Sequence, residues 1–210
     1  MTNKAKTILA VLEEMFPNAK AELDYTNNFE LLIAVVLSAQ TTDVAVNKVT
    51  PALFKNYPNP LSLSLAKQTD VEDLIKTIGL YRNKAKHLIA LSKILVEKYN
   101  SIVPNNREDL ESLQGVGRKT ANVVLANAFN VPTLAVDTHV QRVSIRLGLA
   151  KKGATPLQVE NSLYKHFEKQ FWIKLHHQLI FFGRYQCLAR NPKCYNCLLF
   201  DVCKYEKKEK

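Results

Sequence analysis

The sequence predicts an almost entirely α-helical fold, and three observations support this prediction. Only six of the 210 residues are glycine, well below the average usage of about 7%. Apolar residues recur with the helical period in segment after segment, and the segments are separated by short connections. No two segments alternate in the manner of paired strands. We therefore expect roughly ten helices and no sheet.

Residues that cap helix N-termini precede four of the helical segments: Asn27 with Asn28, Thr69, Asn106 and Thr155. These side chains can accept a hydrogen bond from a free N–H group in the first turn. Thr155 is followed by a proline and a capping-box glutamine, which strengthens the prediction there. The long amphipathic segment RNKAKHLIALSKILVEKYN is expected to form one helix that ends before Pro104.

The formal net charge of +10 makes a polyanion the expected partner, either nucleic acid or an anionic membrane surface. A merely soluble basic protein is the alternative. The longest wholly apolar run, LLIAVVL at 31–37, is far shorter than the ~20 residues of a membrane span. Glu13 and Glu14 interrupt the N-terminal apolar segment before it could act as a secretory signal. A cytoplasmic location and no membrane partner are therefore expected.

A tight turn in LQGVGRKTANVV lies between two predicted helices, NNREDLESL and RKTANVVLANAF. Gly115 and Gly117 flank Val116 in this turn, which requires positive φ angles that glycine adopts at low cost. Val116 is expected to fill the gap between the helices. Free N–H groups at the start of the second helix, next to Arg118, can bind an anion. An ordinary αα turn is the alternative, but the basic charge favours contact with a DNA backbone.

Two candidate catalytic residues lie near this turn, at the starts of successive helices. Lys119 lies at the positive end of a helix macrodipole, where partial burial would favour the neutral, nucleophilic amine. Such lysines more commonly just contact phosphate. The β-branched connector VPTLAV at 131–136 predicts a domain boundary and is long enough for Asp137 to return opposite Lys119. A plain N-cap is the alternative role for Asp137.

All four cysteines lie near the C-terminus, in CLARNPKCYNCLLFDVC: Cys187, Cys194, Cys197 and Cys203. This clustering favours a metal site over a disulfide framework. The spacing C-x6-C-x2-C-x5-C has one two-residue gap and no histidine, which favours an iron–sulfur cluster over structural zinc, with free buried cysteines as a third option. Arg190 and Lys193 lie in the first gap, so a metal there could shape a basic DNA-binding surface.

Together, LQGVGRKTANVVLANAF, AVDTHVQR, LSAQTTD and the cysteine spacing resemble the endonuclease III family, bifunctional DNA glycosylases of the helix-hairpin-helix superfamily. The resemblance covers most of the chain, from about residue 25 to Cys203, and it implies an all-α protein of two lobes. One lobe is a six-helix barrel and the other holds a 4Fe-4S cluster. The implied ranges are 21–131 for the barrel with its helix-hairpin-helix at about 106–129, and 1–20 with 132–210 for the other lobe, whose cluster loop is 187–203.

The resemblance also implies roles for individual residues. Lys119 matches the catalytic lysine and Asp137 the catalytic aspartate, and the four cysteines match the cluster ligands. Gln40 matches the residue that fills the space left by an extruded base. Ile78 and Leu80, in TIGLYRNKA, fall in the loop that wedges the opposite strand.

The implied function is base excision repair of damaged double-stranded DNA by a monomeric enzyme. It removes oxidised or ring-saturated pyrimidines and cleaves the strand at the abasic site by β-elimination. The adenine-excising branch of the superfamily shares the cluster and the aspartate, but Lys119 disfavours it because that branch generally lacks the lysine. A non-catalytic, metal-stabilised DNA-binding protein remains an alternative from another class. Such a protein would bind intact and damaged duplexes alike.

Overall fold

The computed structural model describes residues 1–206, which form eleven α-helices and no strand. The all-α prediction is therefore confirmed. None of these helices is long and apolar enough to cross a membrane. The α-helices, in chain order, are α1 Asn3–Met15, α2 Asn28–Leu37, α3 Asp43–Asn56, α4 Pro60–Ser64, α5 Gln68–Ile75, α6 Tyr81–Tyr99, α7 Arg107–Ser112, α8 Arg118–Phe129, α9 Thr138–Arg146, α10 Pro156–His166 and α11 Trp172–Phe181.

The chain divides into two compact units. The first unit is formed by Met1–Ala21 together with the chain from Pro132 onward, and it contains α1 and α9 to α11. The second unit is the continuous segment Glu22–Val131, which contains α2 to α8. One crossing between the units therefore falls at the start of the β-branched connector VPTLAV.

The second unit is built around α2, whose residues from Leu31 to Leu37 are all buried. A helix that is apolar on every side belongs in a core, and α2 packs against α3, α6 and α8. Asn27 caps it by accepting a hydrogen bond from the backbone N–H of Glu30 at 3.0 Å, as the sequence predicts. This unit contains the helices α2 to α8, of which α4, after Asn59, is the shortest.

The first unit has its own apolar core, to which α1, α9, α10 and α11 contribute. Helix α9 contacts α10 and α11, and α1 contacts α11. The capping box predicted at Thr155 and Gln158 is present at the start of α10. A salt bridge of 2.6 Å between Lys174 and Glu13 joins α11 to α1.

The predicted cap at Thr69 is wrong. Helix α5 starts at Gln68, and its N-cap is Lys67, which makes no side-chain capping bond. The hydroxyl of Thr69 instead donates to the carboxylate of Asp70 at 3.3 Å. The reason is that burial of Val71 and Ile75 sets the start of this helix, and packing outweighs the modest stabilisation of about 1 kcal/mol that a cap provides.

Candidate active site and cysteine loop

The glycine turn joins α7 to α8 in the second unit. Gly115 has φ +79°, whereas Gly117 is extended, with φ −99° and ψ 179°. The positive φ expected of the turn therefore occurs at Gly115 alone. Val116 is 5% exposed and belongs to the core of the unit, so it fills the gap between the two helices as predicted.

Gly117 is the N-cap of α8, and it supplies no side chain to bind the free N–H groups of the first turn. A Cβ atom at this position would meet nothing within 4 Å. Neither backbone conformation nor packing therefore requires glycine here. The arrangement leaves donors and open space where an anion can approach the backbone closely.

Lys119 is the second residue of α8, directly after Arg118. Both side chains are exposed. The partial burial that the sequence analysis expects for Lys119 is absent, because the hairpin leaves the first turn of α8 at the surface of its unit. The amine is consequently open to a substrate.

Asp137 lies in the first unit and is the N-cap of α9. Its Oδ1 accepts a hydrogen bond of 2.8 Å from the backbone N–H of Val140. Within residues 1–206 the other carboxylate oxygen, Oδ2, has no hydrogen bond. The half-buried Asp137 therefore has one oxygen that fixes its orientation and one that is available for chemistry.

The segment before Asp137 is held in place by a buried histidine. Nδ1 of His176, on α11, donates to the carbonyl of Ala135 at 2.8 Å. Leu134 and Val136 on either side are buried. The start of α9 is thus anchored through side chains and through this backbone bond.

His139 lies two residues after Asp137, and its pKa is lowered from the usual value. Burial lowers its pKa, and the positive charges of Arg142 and Arg184 lower the pKa further, against an opposite effect of Asp137. Nη2 of Arg142 lies 3.3 Å from Nδ1 of His139.

The residues expected to enter the DNA helix differ in exposure. Gln40 is exposed with φ +53°, and Leu80 is 56% exposed with φ +59°. Ile78, in contrast, is 3% exposed and packs in the core of the second unit. Its side chain therefore supports the loop from inside, and Leu80 is the apolar side chain that this loop presents outward.

The four cysteines of the first unit are unpaired by disulfides and are partly buried. Burial raises the pKa of the thiols of Cys187 and Cys197. The pKa of Cys197 is also raised by the charges of the other three cysteines, so the four sulfur atoms influence one another electrostatically. Arg190 and Lys193 are exposed in the loop between the first two cysteines.

Two arginines of α9 organise the cysteine loop. Nη1 of Arg146 donates to the Sγ of Cys187 at 3.3 Å and to the carbonyl of Leu188 at 2.6 Å. Nη2 of Arg142 donates to the carbonyls of Gly183 at 2.8 Å and of Cys187 at 3.1 Å. Neither arginine is predicted from the sequence. Their spacing of four residues on the helix that follows Asp137 is the signal that could have found them.

Gln186 provides a further contact inside the cysteine loop. It is buried, and its Nε2 donates to the carbonyl of Lys193 at 2.6 Å and to Oδ1 of Asn196 at 3.0 Å. Because the residue precedes Cys187 and holds the stretch around Cys194, it draws two of the cysteine-bearing segments together. The sequence contains no pattern that marks this role.

The donor set fits an iron–sulfur cluster. Four free, half-buried thiols lie within one loop that arginine donors support, and thiolates are the ligands that such clusters use. The hydrogen bond from Arg146 to Cys187 Sγ is of the kind that tunes cluster potentials. Within residues 1–206, however, no three His, Cys, Asp or Glu side chains are grouped closely enough to hold a metal ion, so the fit rests on the type of ligand and not on an assembled site.

Comparison with known protein sequences gives consistent matches. The family of HhH-GPD superfamily base excision DNA repair proteins matches residues 33–169. The chain is 50% identical to an endonuclease III of Bacillus subtilis (strain 168) over 91% of this chain and 87% of that protein. It is 48% identical to an endonuclease III of Escherichia coli (strain K12) over 98% of each chain.

Solved structures extend these matches to the fold. The chain is similar to the endonuclease III in a trapped covalent DNA intermediate, with a TM-score of 0.91 and 49% identity over 97% of each chain. It is also similar to a non-covalent endonuclease III–DNA complex, with a TM-score of 0.92 and 48% identity over 97% of this chain and 96% of that chain. A thermostable thymine-DNA glycosylase, 23% identical with a TM-score of 0.88, shares the fold. The chain therefore belongs to the endonuclease III family of the HhH-GPD superfamily of base excision DNA repair proteins.

Proposed function

We propose that Lys119 and Asp137 carry out the two reactions of this chain, which is a DNA glycosylase with AP lyase activity. Its substrates are oxidised or ring-saturated pyrimidines in double-stranded DNA, and it acts as a monomer in the cytoplasm. Saturated pyrimidines have lost their planarity and stack poorly. Extruding such a base from the helix therefore costs less than extruding an intact one.

Lys119 is the nucleophile in this proposal. Its Nζ attacks C1′ of the damaged nucleotide, a bond forms between nitrogen and C1′, and the glycosidic bond breaks as the base leaves. Opening of the sugar gives a Schiff base between C1′ and Nζ. Loss of a proton from C2′ then expels the 3′ phosphate oxygen, which cuts the strand by β-elimination.

Asp137 stabilises the positive charge that develops on the sugar and assists the proton transfers. The free Oδ2 supports this role, because an oxygen without a bond to the protein is open to the sugar. The bond from Val140 to Oδ1 holds the carboxylate in one orientation. Such preorganisation is what makes electrostatic stabilisation effective.

The remaining residues hold the DNA in this proposal. The turn formed by Gly115, Val116 and Gly117 lets a backbone phosphate approach the uncapped first turn of α8, where its free N–H groups bind the phosphate together with Arg118. Gln40 fills the space of the extruded base, and Leu80 wedges the opposite strand.

The four cysteines would hold a 4Fe-4S cluster in the lobe formed by 1–20 and 132–210. Bound there, the cluster supplies structural cross-linking of the loop, which presents Arg190 and Lys193 to DNA. Iron and acid-labile sulfide analysis of anaerobically purified protein tests this, with about four of each expected per chain. A colourless, fully active protein that contains one zinc and no iron would contradict it.

The observation that carries the catalytic assignment is the position of Lys119. An exposed lysine in the uncapped first turn of α8, directly behind a glycine hairpin that leaves room for a phosphate, is placed to reach DNA held by that hairpin. A lysine that only attracted DNA electrostatically would not need to lie at this particular position after the turn.

Borohydride trapping tests the assignment. The wild-type protein should form a covalent adduct with a duplex that bears an oxidised pyrimidine, and Lys119→Gln should form none while still binding the lesion. Lys93→Gln, at an exposed lysine of α6, is the matched control and should trap normally.

An adduct formed by Lys119→Gln at the wild-type rate would place the nucleophile elsewhere. Base release without any adduct from the wild type would indicate a monofunctional glycosylase, and equal binding of intact and damaged DNA without turnover would indicate a non-catalytic protein.

A further inference from the structure

Lys84 is a buried lysine in the second unit that the mechanism above does not use. It lies on the first turn of α6, and it is 4% exposed. Its Nζ donates a hydrogen bond of 2.6 Å to the hydroxyl of Thr41. Among residues 1–206 no carboxylate pairs with it, and burial lowers its pKa. Burying an ammonium group is costly unless it is paired. A buried lysine whose ammonium group bonds to a neutral hydroxyl therefore indicates a role beyond packing.

Lys84 bonds to two different loops, to one through its backbone and to the other through its side chain. Its backbone N–H donates to the carbonyl of Leu80 at 3.0 Å. Its ammonium group holds Thr41, whose hydroxyl in turn donates to the carbonyl of Ala39 at 3.4 Å. The hydroxyl thus bridges the residues on both sides of Gln40. One residue therefore connects the loop of Gln40 with the loop of Leu80.

Gln40 and Leu80 share an unusual conformation. Both have positive φ, +53° and +59°, in the left-handed region that costs a residue with a Cβ roughly 1–2 kcal/mol. Both side chains are exposed, so neither is held there by its own burial. Conformations of this kind persist only when the surrounding structure imposes them, and they cluster at functional sites.

We propose that Lys84 is a positioning residue that fixes Gln40 and Leu80 relative to each other, so that the two side chains enter a DNA duplex as one rigid pair. The proposal rests on the roles assigned to Gln40 and Leu80 above. In a rigid pair the two side chains are ordered before DNA binds, so little conformational entropy is lost on binding. Preorganisation of this kind improves recognition without any new contact. Lys84 itself touches no DNA in this account.

This role predicts that the effect of Lys84 depends on the base opposite the lesion. A rigid pair matters when a stacked base must be extruded and its partner on the opposite strand must be held apart. It matters much less when the position opposite the lesion carries no base. Loss of Lys84 should therefore slow base excision from a fully paired duplex and have little effect when the lesion lies opposite an abasic analogue.

The test compares single-turnover excision of an oxidised pyrimidine in these two duplexes. Lys84→Met fills the same space without the ammonium, and Thr41→Val removes the hydroxyl at constant shape. Each should slow excision about 10-fold on the paired duplex, the loss expected for a hydrogen bond to a charged group. On the duplex with the abasic analogue each should stay within about twofold of wild type.

Three further variants control the comparison. Thr41→Ser keeps the hydroxyl and should behave as wild type on both duplexes. The double variant Lys84→Met with Thr41→Val should be no slower than either single variant, because both remove the same bond. Lys93→Met removes an exposed positive charge from the same helix and should leave the ratio between the two duplexes unchanged. Thermal unfolding identifies any variant that does not fold, and Thr41→Val still tests the proposal if Lys84→Met is such a variant.

An equal loss on the two duplexes, or additive losses in the double variant, would overturn the proposal and leave Lys84 with a general role in stability. Wild-type rates for Thr41→Val on the paired duplex would overturn it as well. Failure of the wild-type protein to excise the lesion from either duplex is a different outcome. It would contradict the proposed substrate rather than the coupling between the two loops.

Discussion

The ring of His87 lies directly against Gly115, so that a Cβ atom at position 115 would be 3.0 Å from Nδ1 of His87. Gly115 also has φ +79°. Two steric reasons therefore require glycine there. Gly117, two residues later, has open space and an extended backbone, so any requirement for glycine at 117 comes from a molecule outside the chain.

We expect these two glycines to respond differently to replacement by alanine. Gly115→Ala should lower the free energy of unfolding by about 1–3 kcal/mol, because a Cβ is strained at positive φ and also crowds His87. Gly117→Ala should change it by less than about 0.5 kcal/mol. Urea denaturation measures both. Equal effects of the two substitutions would contradict the distinction.

A larger side chain at 117 should act on DNA binding instead. We expect Gly117→Val to fold normally and to weaken binding to undamaged duplex, because its side chain would keep a phosphate away from the N–H groups of α8. The logarithm of the affinity falls with the logarithm of the salt concentration by about 0.9 for each phosphate contact. The slope of the variant should therefore be shallower than that of wild type by about one contact. An unchanged slope would show that the hairpin is only a turn.

Features that depend on neighbouring residues in the chain were largely predictable from the sequence. The caps at Asn27 and Asn106, the capping box at Thr155 and the inward position of Val116 were all predicted and are confirmed. Each follows from backbone groups within a few residues of the side chain. The start of α5 was mispredicted because tertiary packing determined it.

Contacts between distant parts of the chain could not be predicted. Arg146 and Cys187 are 41 residues apart, and Lys84 and Thr41 are 43 apart. Nothing in a local pattern specifies which arginine or lysine will be drawn inward by the packing of its helix. The same limit applies to Ile78, whose burial beneath an exposed loop depends on the core of the whole unit.

Arg146 provides a test of how the protein supports the cysteine loop. We expect Arg146→Met to lose the bonds to Cys187 Sγ and to the carbonyl of Leu188, and to bind iron about 10-fold less stably, as is typical when a partner of a metal ligand is removed. Iron content and bleaching of the visible absorbance in air measure this effect. Lys152→Met is the control, because Lys152 is an exposed cation of the same unit whose ion pair spans 3.9 Å in solvent. Equal bleaching rates for the two variants would contradict the role of Arg146.

The pKa of His139 leads to a pH dependence of stability. Its pKa in the folded state is lowered, chiefly by burial, whereas in the unfolded chain it is about 6.5. As the pH falls below about 6.5, the unfolded chain takes up a proton that the folded protein does not, so the free energy of unfolding decreases until the folded pKa is reached. We expect His139→Gln to remove this contribution. Urea denaturation between about pH 5 and 7.5 compares the two proteins, and parallel curves would contradict the assignment.

The hydrogen bond from Val140 to Asp137 allows the structural and the catalytic role of the carboxylate to be tested separately. Asparagine caps helices about as well as aspartate, so Asp137→Asn should keep the bond to Val140 and the wild-type stability. It should nevertheless slow base release by about 10²–10⁴, because the neutral amide cannot stabilise a positive charge on the sugar. Asp137→Ala should lose the same activity and also about 1 kcal/mol of stability, because α9 loses its cap. Single-turnover base release and urea denaturation, measured on both variants, test the two roles separately. An Asp137→Asn protein that releases base at the wild-type rate would reduce Asp137 to a helix cap.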